Sequence, residues 1–243
     1  KSEPVDDVVA EETSEPSVAV TPESTGKADE DAAIAAAIPT ADVALMMDEA
    51  SQLAAEDKLV EARQRYLEAL KHTSDSAVQL QIERKVAPIN VELVTSPRRM
   101  PEKQDVLVKS GDSLDRIARR FGTTTELIQK SNLLMNPNLI KVGDRLRVFT
   151  GKFQLASSKS RHDLVVTLNG AFFKRYKVGT GRFGKTPIGT FVIRDKIKEP
   201  VWWRPDGREV PFGDEENILG TRWFALRATG DTEDVRGYGI HGT

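Results

Sequence analysis

The sequence predicts a multidomain α+β protein: a disordered N-terminal tail, an α-helical hairpin, a small βααβ module and a mainly-β C-terminal domain. Three observations predict it. Charge is unevenly spread, with ten acidic and two basic residues in positions 1–40; that is a net of −8 in a chain of net −2, which leaves +6 for the rest. The apolar period changes along the chain, from three-and-four spacing after Ala41 to strand-like runs beyond Phe153. Ser96-Pro97-Arg98-Arg99-Met100-Pro101 interrupts the pattern with two prolines, which read as a helix break. A length of 243 residues suits several small domains in series.

Composition narrows the chemistry. With no cysteine in 243 residues there is no disulfide framework, no cysteine-ligated metal and no thiol nucleophile within the chain as given. His72, His162 and His241 are far apart and in no paired spacing, so neither a metal site nor any other cofactor is expected. The near-neutral balance argues against a general nucleic-acid binder. No run of about 18 apolar residues is present to span a membrane. Residue 1 is Lys, so the true N-terminus is expected elsewhere, and an upstream signal peptide or anchor stays open.

Residues 1–40 lack aromatics and are rich in Glu, Ser, Thr, Pro and Ala. Such a segment buries too little apolar surface to offset its ordering entropy, which predicts a disordered acidic linker. Residues 41–95 then carry Val43, Met46, Met47, Ala50, Leu53 and Ala54 at helical spacing, followed by Leu59, Ala62, Tyr66, Ala69 and Leu70. A third set from Val78 to Val91 suggests another helix after the break at Thr73–Ser76. The run Glu61–Leu70 resembles the second helix of a tetratricopeptide repeat, and a small helical hairpin acting as spacer or docking element is expected. Residues 96–104 read as a linker.

Residues 105–149 predict strand, helix, helix, strand. Val106 and Val108 alternate into the turn Ser110-Gly111-Asp112, and Asp112 or Ser113 caps a helix bearing Leu114, Ile117, Ala118 and Phe121. Gly122 ends that helix, and Thr123-Thr124-Thr125-Glu126 starts another with a capping-box pattern. Asn136-Pro137-Asn138 makes a turn before Leu139-Ile140-Lys141-Val142-Gly143-Asp144 and the strand Arg145–Phe149. This unit resembles a LysM domain in Val108, Gly111-Asp112-Ser113-Leu114, Ile117-Ala118, Phe121, Leu127, Asn132, Asn136-Pro137-Leu139-Ile140, Val142-Gly143 and Leu146. Asp144 stands where the family usually has Gln. The resemblance implies binding of N-acetylglucosamine-containing glycans, chiefly peptidoglycan and chitin. The implied groove lies between Gly111, Asp112, Ser113 and Leu114 on one side and Asn136, Asn138, Leu139 and Ile140 on the other. Leu114 and Ile140 would supply apolar contact there.

Residues 153–243 predict a β-rich domain. Leu164–Leu168, the tight Asn169-Gly170 turn and Ala171–Val178 make a hairpin, and a strand follows at Thr190–Asp195. The "VGTG" at Val178, "KTPIGTF" at Lys185, "LG-x-RW" at Leu219 and "GIHGT" at Gly239 resemble, in order, the catalytic domain of L,D-transpeptidases with the YkuD-like fold. In that family a Ser-His-Gly-Cys segment follows the "IHGT" strand and supplies the nucleophile, so the chain as given is expected to be a truncated, inactive form of an active parent. The resemblance makes His241 the general base, with Gly242 and Thr243 shaping the substrate channel. Tyr238 either holds the imidazole, lines the pocket or packs. Trp202 and Trp203 either stack on substrate near the active-site mouth or pack, whereas Trp223, inside an apolar run, reads as core.

The implied function is a peptidoglycan-anchored L,D-transpeptidase of the cell envelope or periplasm that forms 3→3 crosslinks. Its partners would be glycan strands and stem peptides, with diaminopimelate, a lipoprotein lysine or water as acyl acceptor. The competing reading is a non-catalytic peptidoglycan-binding protein.

Overall fold

A computed structural model describes residues 25–181, 184–233 and 237–242, which fall into two units, Lys1–Phe149 and Thr150–Thr243. The first begins with helices α1 (Thr25–Ala36), α2 (Ala41–Ala55), α3 (Leu59–Lys71) and α4 (Ser76–Thr95). The three apolar sets in the sequence are α2, α3 and α4, so a three-helix array stands where a hairpin is expected. Ala50, Ala62 and Ala69 are fully buried, and these small side chains let the helices approach closely. Asp75 caps α4 by accepting from the N–H groups of Ala77 (2.8 Å) and Val78 (2.9 Å). Pro88 lies within α4, where its missing N–H is tolerated because Val86, Ile89 and Asn90 are held by burial.

Two expectations change in this unit. The disordered linker was to run to residue 40, but α1 is helical from Thr25; residues 1–24 lie outside the described residues. Composition averaged over 40 residues hid the local reason. Ile34 is 4% exposed, and Gln81 on α4 donates to the carbonyls of Ile34 (2.5 Å) and Ala37 (2.8 Å), closing the end of α1. Residues 96–104 are likewise packed rather than a free linker. Met100 is buried, and Arg63 on α3 forms a bidentate pair with Glu102 at 2.8 and 3.2 Å while its Nε donates to Asn90 at 2.9 Å. Lys103 Nζ donates to the carbonyls of Leu93 and Ser96, both at 2.5 Å, at the end of α4. Half-burial, with the charge of Arg147 second, pushes the Lys103 ammonium down to about 8.

The module that follows comprises β1 (Lys103–Leu107), α5 (Leu114–Phe121), α6 (Thr125–Asn132) and β2 (Arg145–Phe149), with β1 and β2 antiparallel. Ser113 caps α5 (Arg116 N–H, 3.3 Å), and Gly122 closes it in the left-handed region at φ 65°. The cap of α6 is Thr124, one residue later than the capping-box pattern predicts, accepting from Leu127 N–H at 3.1 Å. Val108, Leu114, Ile117, Ala118, Ile128, Leu146 and Val148 make its core. Ser131 donates to the Val94 carbonyl (3.1 Å) and Arg147 to that of Pro97, so the module is fastened to α4.

The second unit contains an antiparallel sheet of order β3-β4-β5, from Phe153–Ser158, Asp163–Leu168 and Ala171–Lys177. Asn169 (φ 50°) and Gly170 (φ 85°) are both left-handed, the signature of a type I′ turn matched to strand twist. A second sheet has the order β10-β9-β6, with β6 at Thr190–Lys198, β9 at Arg222–Thr229 and β10 at Gly239–His241. The strand β6 runs to Lys198, beyond the predicted Asp195, and carries a bulge between Ile193 and Asp195. Trp202-Trp203 form the short strand β7, paired with β8 (Glu209–Val210).

Asp163, at the start of β4, is 4% exposed, and its Oδ2 accepts from Arg161 Nε (3.2 Å) and from Arg175. Burial alone raises its pKa; Arg161 and Arg175 outweigh that and hold the carboxyl below its ordinary 3.8. A depressed carboxylate adds stability that is complete above the unfolded value and is lost as pH falls through the folded one. Asp163→Asn is therefore expected to lower the stability of this unit at neutral pH and to flatten its loss between roughly pH 5 and pH 2. Urea midpoints measured across that range check it; parallel curves for the two proteins would count against the ion pairs.

Candidate active site and glycan-binding loops

The C-terminal site is built on three residues of β10. Antiparallel pairing with β9 sets Gly239 opposite Ala225, Ile240 opposite Phe224 and His241 opposite Trp223. Directly opposed residues share a sheet face, so the imidazole meets the indole of Trp223. The rings stack with centroids 5.7 Å apart at 25°. Gly239, two residues from His241 and so on the same face, leaves the space the indole fills: a Cβ there would lie 2.4 Å from Trp223 Cζ2. Trp223, expected as a core residue, is half-buried and forms one wall for the histidine.

His241 is exposed, and its Nδ1 lies 2.9 Å from the Gly242 carbonyl. A carbonyl only accepts, so that bond requires a proton on Nδ1 and leaves the Nε2 lone pair available. Gly220, at φ 62°, backs this arrangement: a Cβ there would come within 3.0 Å of the Gly242 carbonyl. Tyr238 is half-buried, and its carbonyl accepts from Leu226 N–H at 2.9 Å. Trp202 and Trp203 sit on the β7–β8 ribbon and not on the sheet that carries His241. Trp203 is 64% exposed, while Arg204 lies over the Trp202 ring at 5.7 Å. Thr243 lies outside the described residues.

In the βααβ module the side chains of the two expected loops are largely occupied with their own turns. Gly111 holds φ 80°, and Asp112 accepts from Lys109 N–H (3.0 Å) and from Arg120. The bond from the Lys109 N–H, helped by the Arg120 guanidinium, outweighs burial and holds the Asp112 carboxyl below its ordinary value. Asn136 Oδ1 accepts from Asn138 N–H at 2.9 Å. Leu114 is 2% exposed, which corrects its expected role: the side chain belongs to the core and offers no surface. Ile140 packs against that same core and so ties the two loops together, while Leu139 stands exposed.

Trp223 and Gly220 were missed as site residues because their meaning depends on strand register. The signal was present in "LG-x-RW", but nothing in a linear sequence sets it opposite "GIHGT". Among the described residues no cluster of His, Cys, Asp or Glu is suited to hold a metal, and no helix is long and apolar enough to cross a membrane.

Comparison with known proteins places these two regions. Residues 106–149 match the LysM domain family, and residues 153–243 match the YkuD family, the L,D-transpeptidase catalytic domain. One solved structure, a MoCVNH3 variant in complex with (N-GlcNAc)4, is 26% identical, with 32% of this chain and 57% of that chain covered and a TM-score of 0.21. A likeness that low says nothing of this chain's fold or ligand. Each region thus matches a known domain, and over these two regions the chain is similar to a LysM-containing L,D-transpeptidase.

Proposed function

We propose that this protein is a cell-envelope enzyme that grips peptidoglycan glycan strands through residues 105–149 and forms 3→3 crosslinks between stem peptides through residues 153–243. The observation that carries the reading is the state of His241. Its Nδ1 is tied to the Gly242 carbonyl, which leaves the Nε2 lone pair of an exposed ring to accept a proton, as a general base requires.

The thiol comes, in this reading, from a Ser-His-Gly-Cys segment following Thr243. His241 Nε2 takes the thiol proton, and the thiolate attacks the diaminopimelate carbonyl of a tetrapeptide stem. The tetrahedral intermediate collapses, the bond to the terminal D-alanine breaks, and Nε2–H protonates the departing amine. A diaminopimelate side-chain amine then attacks the thioester and releases the thiolate. Holding the glycan raises the local concentration of stem peptide without a new contact at the catalytic centre.

The full-length protein incubated with tetrapeptide-bearing muropeptides is expected to release D-alanine, carry a thioester adduct by mass spectrometry and yield 3→3 dimers. Folded protein that contains the cysteine yet releases no D-alanine would sink the catalytic reading. A second reading is a non-catalytic peptidoglycan-binding protein, supported by the LysM match alone. The coding sequence after Thr243 separates the two: a Ser-His-Gly-Cys segment supports the enzyme, a stop codon the binder.

Glycan binding has its own check. Leu139 is 70% exposed, so Leu139→Asp should leave unfolding unchanged within about 0.5 kcal/mol. Loss of its apolar contact is expected to weaken retention on purified sacculi about tenfold. Undiminished retention would remove this loop from the glycan site.

A further inference from the structure

We propose that Leu219–Trp223 is the positioning element for His241, with the Trp223 face fixing the imidazole plane and Gly220 fixing the carbonyl that selects its tautomer. The inference rests on the reading of His241 as a base, but its physical content is separate from catalysis. Three observations meet here. The indole and imidazole stack across the β9–β10 pair. Gly239 is without a side chain where the indole lies, since a Cβ would approach Cζ2, Cε2 and Cη2 to 2.4, 2.6 and 2.7 Å. Gly220 sits against the backbone of Gly242, the residue whose carbonyl holds Nδ1.

Each restraint removes one freedom. An exposed imidazole samples several χ1 and χ2 positions and both neutral tautomers. The stack holds the ring roughly parallel to the indole and blocks one of its faces. Within that plane the Nδ1 edge meets the Gly242 carbonyl, and the Nε2 edge is left facing away from it. Trp223 touches the base and not the reacting atoms, so it acts through His241. The "LG-x-RW" and "GIHGT" segments, separate in sequence, thus form one structural unit, and Gly239 and Gly220 are its clearances. Side chains at either position collide with ring or backbone atoms.

The test reads the ring itself, on this chain, without substrate or thiol. Nitrogen-15 shifts of the histidine rings report the tautomer of each neutral imidazole, with His72 and His162 as internal references. Proton contacts between indole and imidazole report the stack. For the unaltered chain, the neutral form of the His241 ring is expected to carry its proton on Nδ1 and to show contacts to Trp223. Trp223→Leu is expected to shift the tautomer ratio of His241 about two- to tenfold towards that of the two reference histidines, which stay unchanged. Trp223→Phe, keeping a flat ring, should restore most of the ratio. Gly239→Ala, which displaces the indole while leaving Trp223 in place, should shift it in the same direction as Trp223→Leu. Thermal unfolding of every variant separates loss of fold from loss of positioning, and if Trp223→Leu does not fold, Gly239→Ala decides. An unchanged ratio in a folded Trp223→Leu or Gly239→Ala chain, or a predominantly Nε2-protonated His241 in the unaltered chain, overturns the proposal. Failure of the muropeptide assay would leave the ring result standing, so the two failures are distinguishable.

Discussion

On the proposed function, replacing His241 with alanine in a cysteine-containing form of the protein is expected to lower 3→3 crosslinking by about 10²- to 10⁴-fold, the usual contribution of a positioned general base. The prediction follows from the ring's geometry. Nδ1 is engaged with the Gly242 carbonyl, so Nε2 is the one imidazole nitrogen free to take a proton, and the ring is solvent-exposed at the end of a short strand. A cysteine thiol near neutral pH is mostly protonated and needs that acceptor. The substitution also removes the stack on Trp223, worth about 0.5–1.5 kcal/mol, a modest loss of stability beside the kinetic one. Sacculus binding is expected to persist, because the LysM module folds within the other unit. Muropeptide analysis reads the first effect and pull-down the second. Crosslinking at the unaltered rate would take His241 out of the mechanism.

The largest effect on stability is expected at Glu102. Its carboxylate and the Arg63 guanidinium are each 9% exposed and joined by two hydrogen bonds. Glu102→Ala leaves a desolvated guanidinium without its counter-charge, and the expected cost is about 3–5 kcal/mol in the Lys1–Phe149 unit. The bond from Arg63 Nε to Asn90 remains but supplies no charge. Because burying both charges already carries a desolvation penalty, the double variant Arg63→Met/Glu102→Leu should recover most of the loss. Urea unfolding of the single and double variants checks this as a double-mutant cycle. A loss below about 1 kcal/mol for Glu102→Ala would mean the pair is solvated. Were residues 96–104 a free linker, Glu102 would be inert, so the same measurement tests whether the helices and the LysM module are held together.

Much of this architecture is legible in the linear sequence, and particular residues show why. The three apolar sets become α2, α3 and α4 because helical period is a local property that burial merely uses. Ser113, Gly122 and Asn169-Gly170 act where they are read, since capping and left-handed turns depend on a few neighbouring residues. Leu114 is different. Sequence likeness put it in the glycan groove, yet its first helical turn faces inward, and its side chain fills the module's core.

What the sequence by itself determined is the order of the elements, the turns and caps between them and the two domain resemblances; it also singled out the histidine proposed as base. Only the tertiary structure decided what surrounds each residue. Arg63 and Glu102 are 39 positions apart, and their pairing makes a packed joint of an apparent linker. Trp223 and His241 are brought together by a strand register that no local pattern encodes, and the space for their contact is left by the missing side chain of Gly239. The physical reason is range: propensity and capping act over a few residues, whereas burial, charge pairing and register are settled between segments that meet only when the chain has folded.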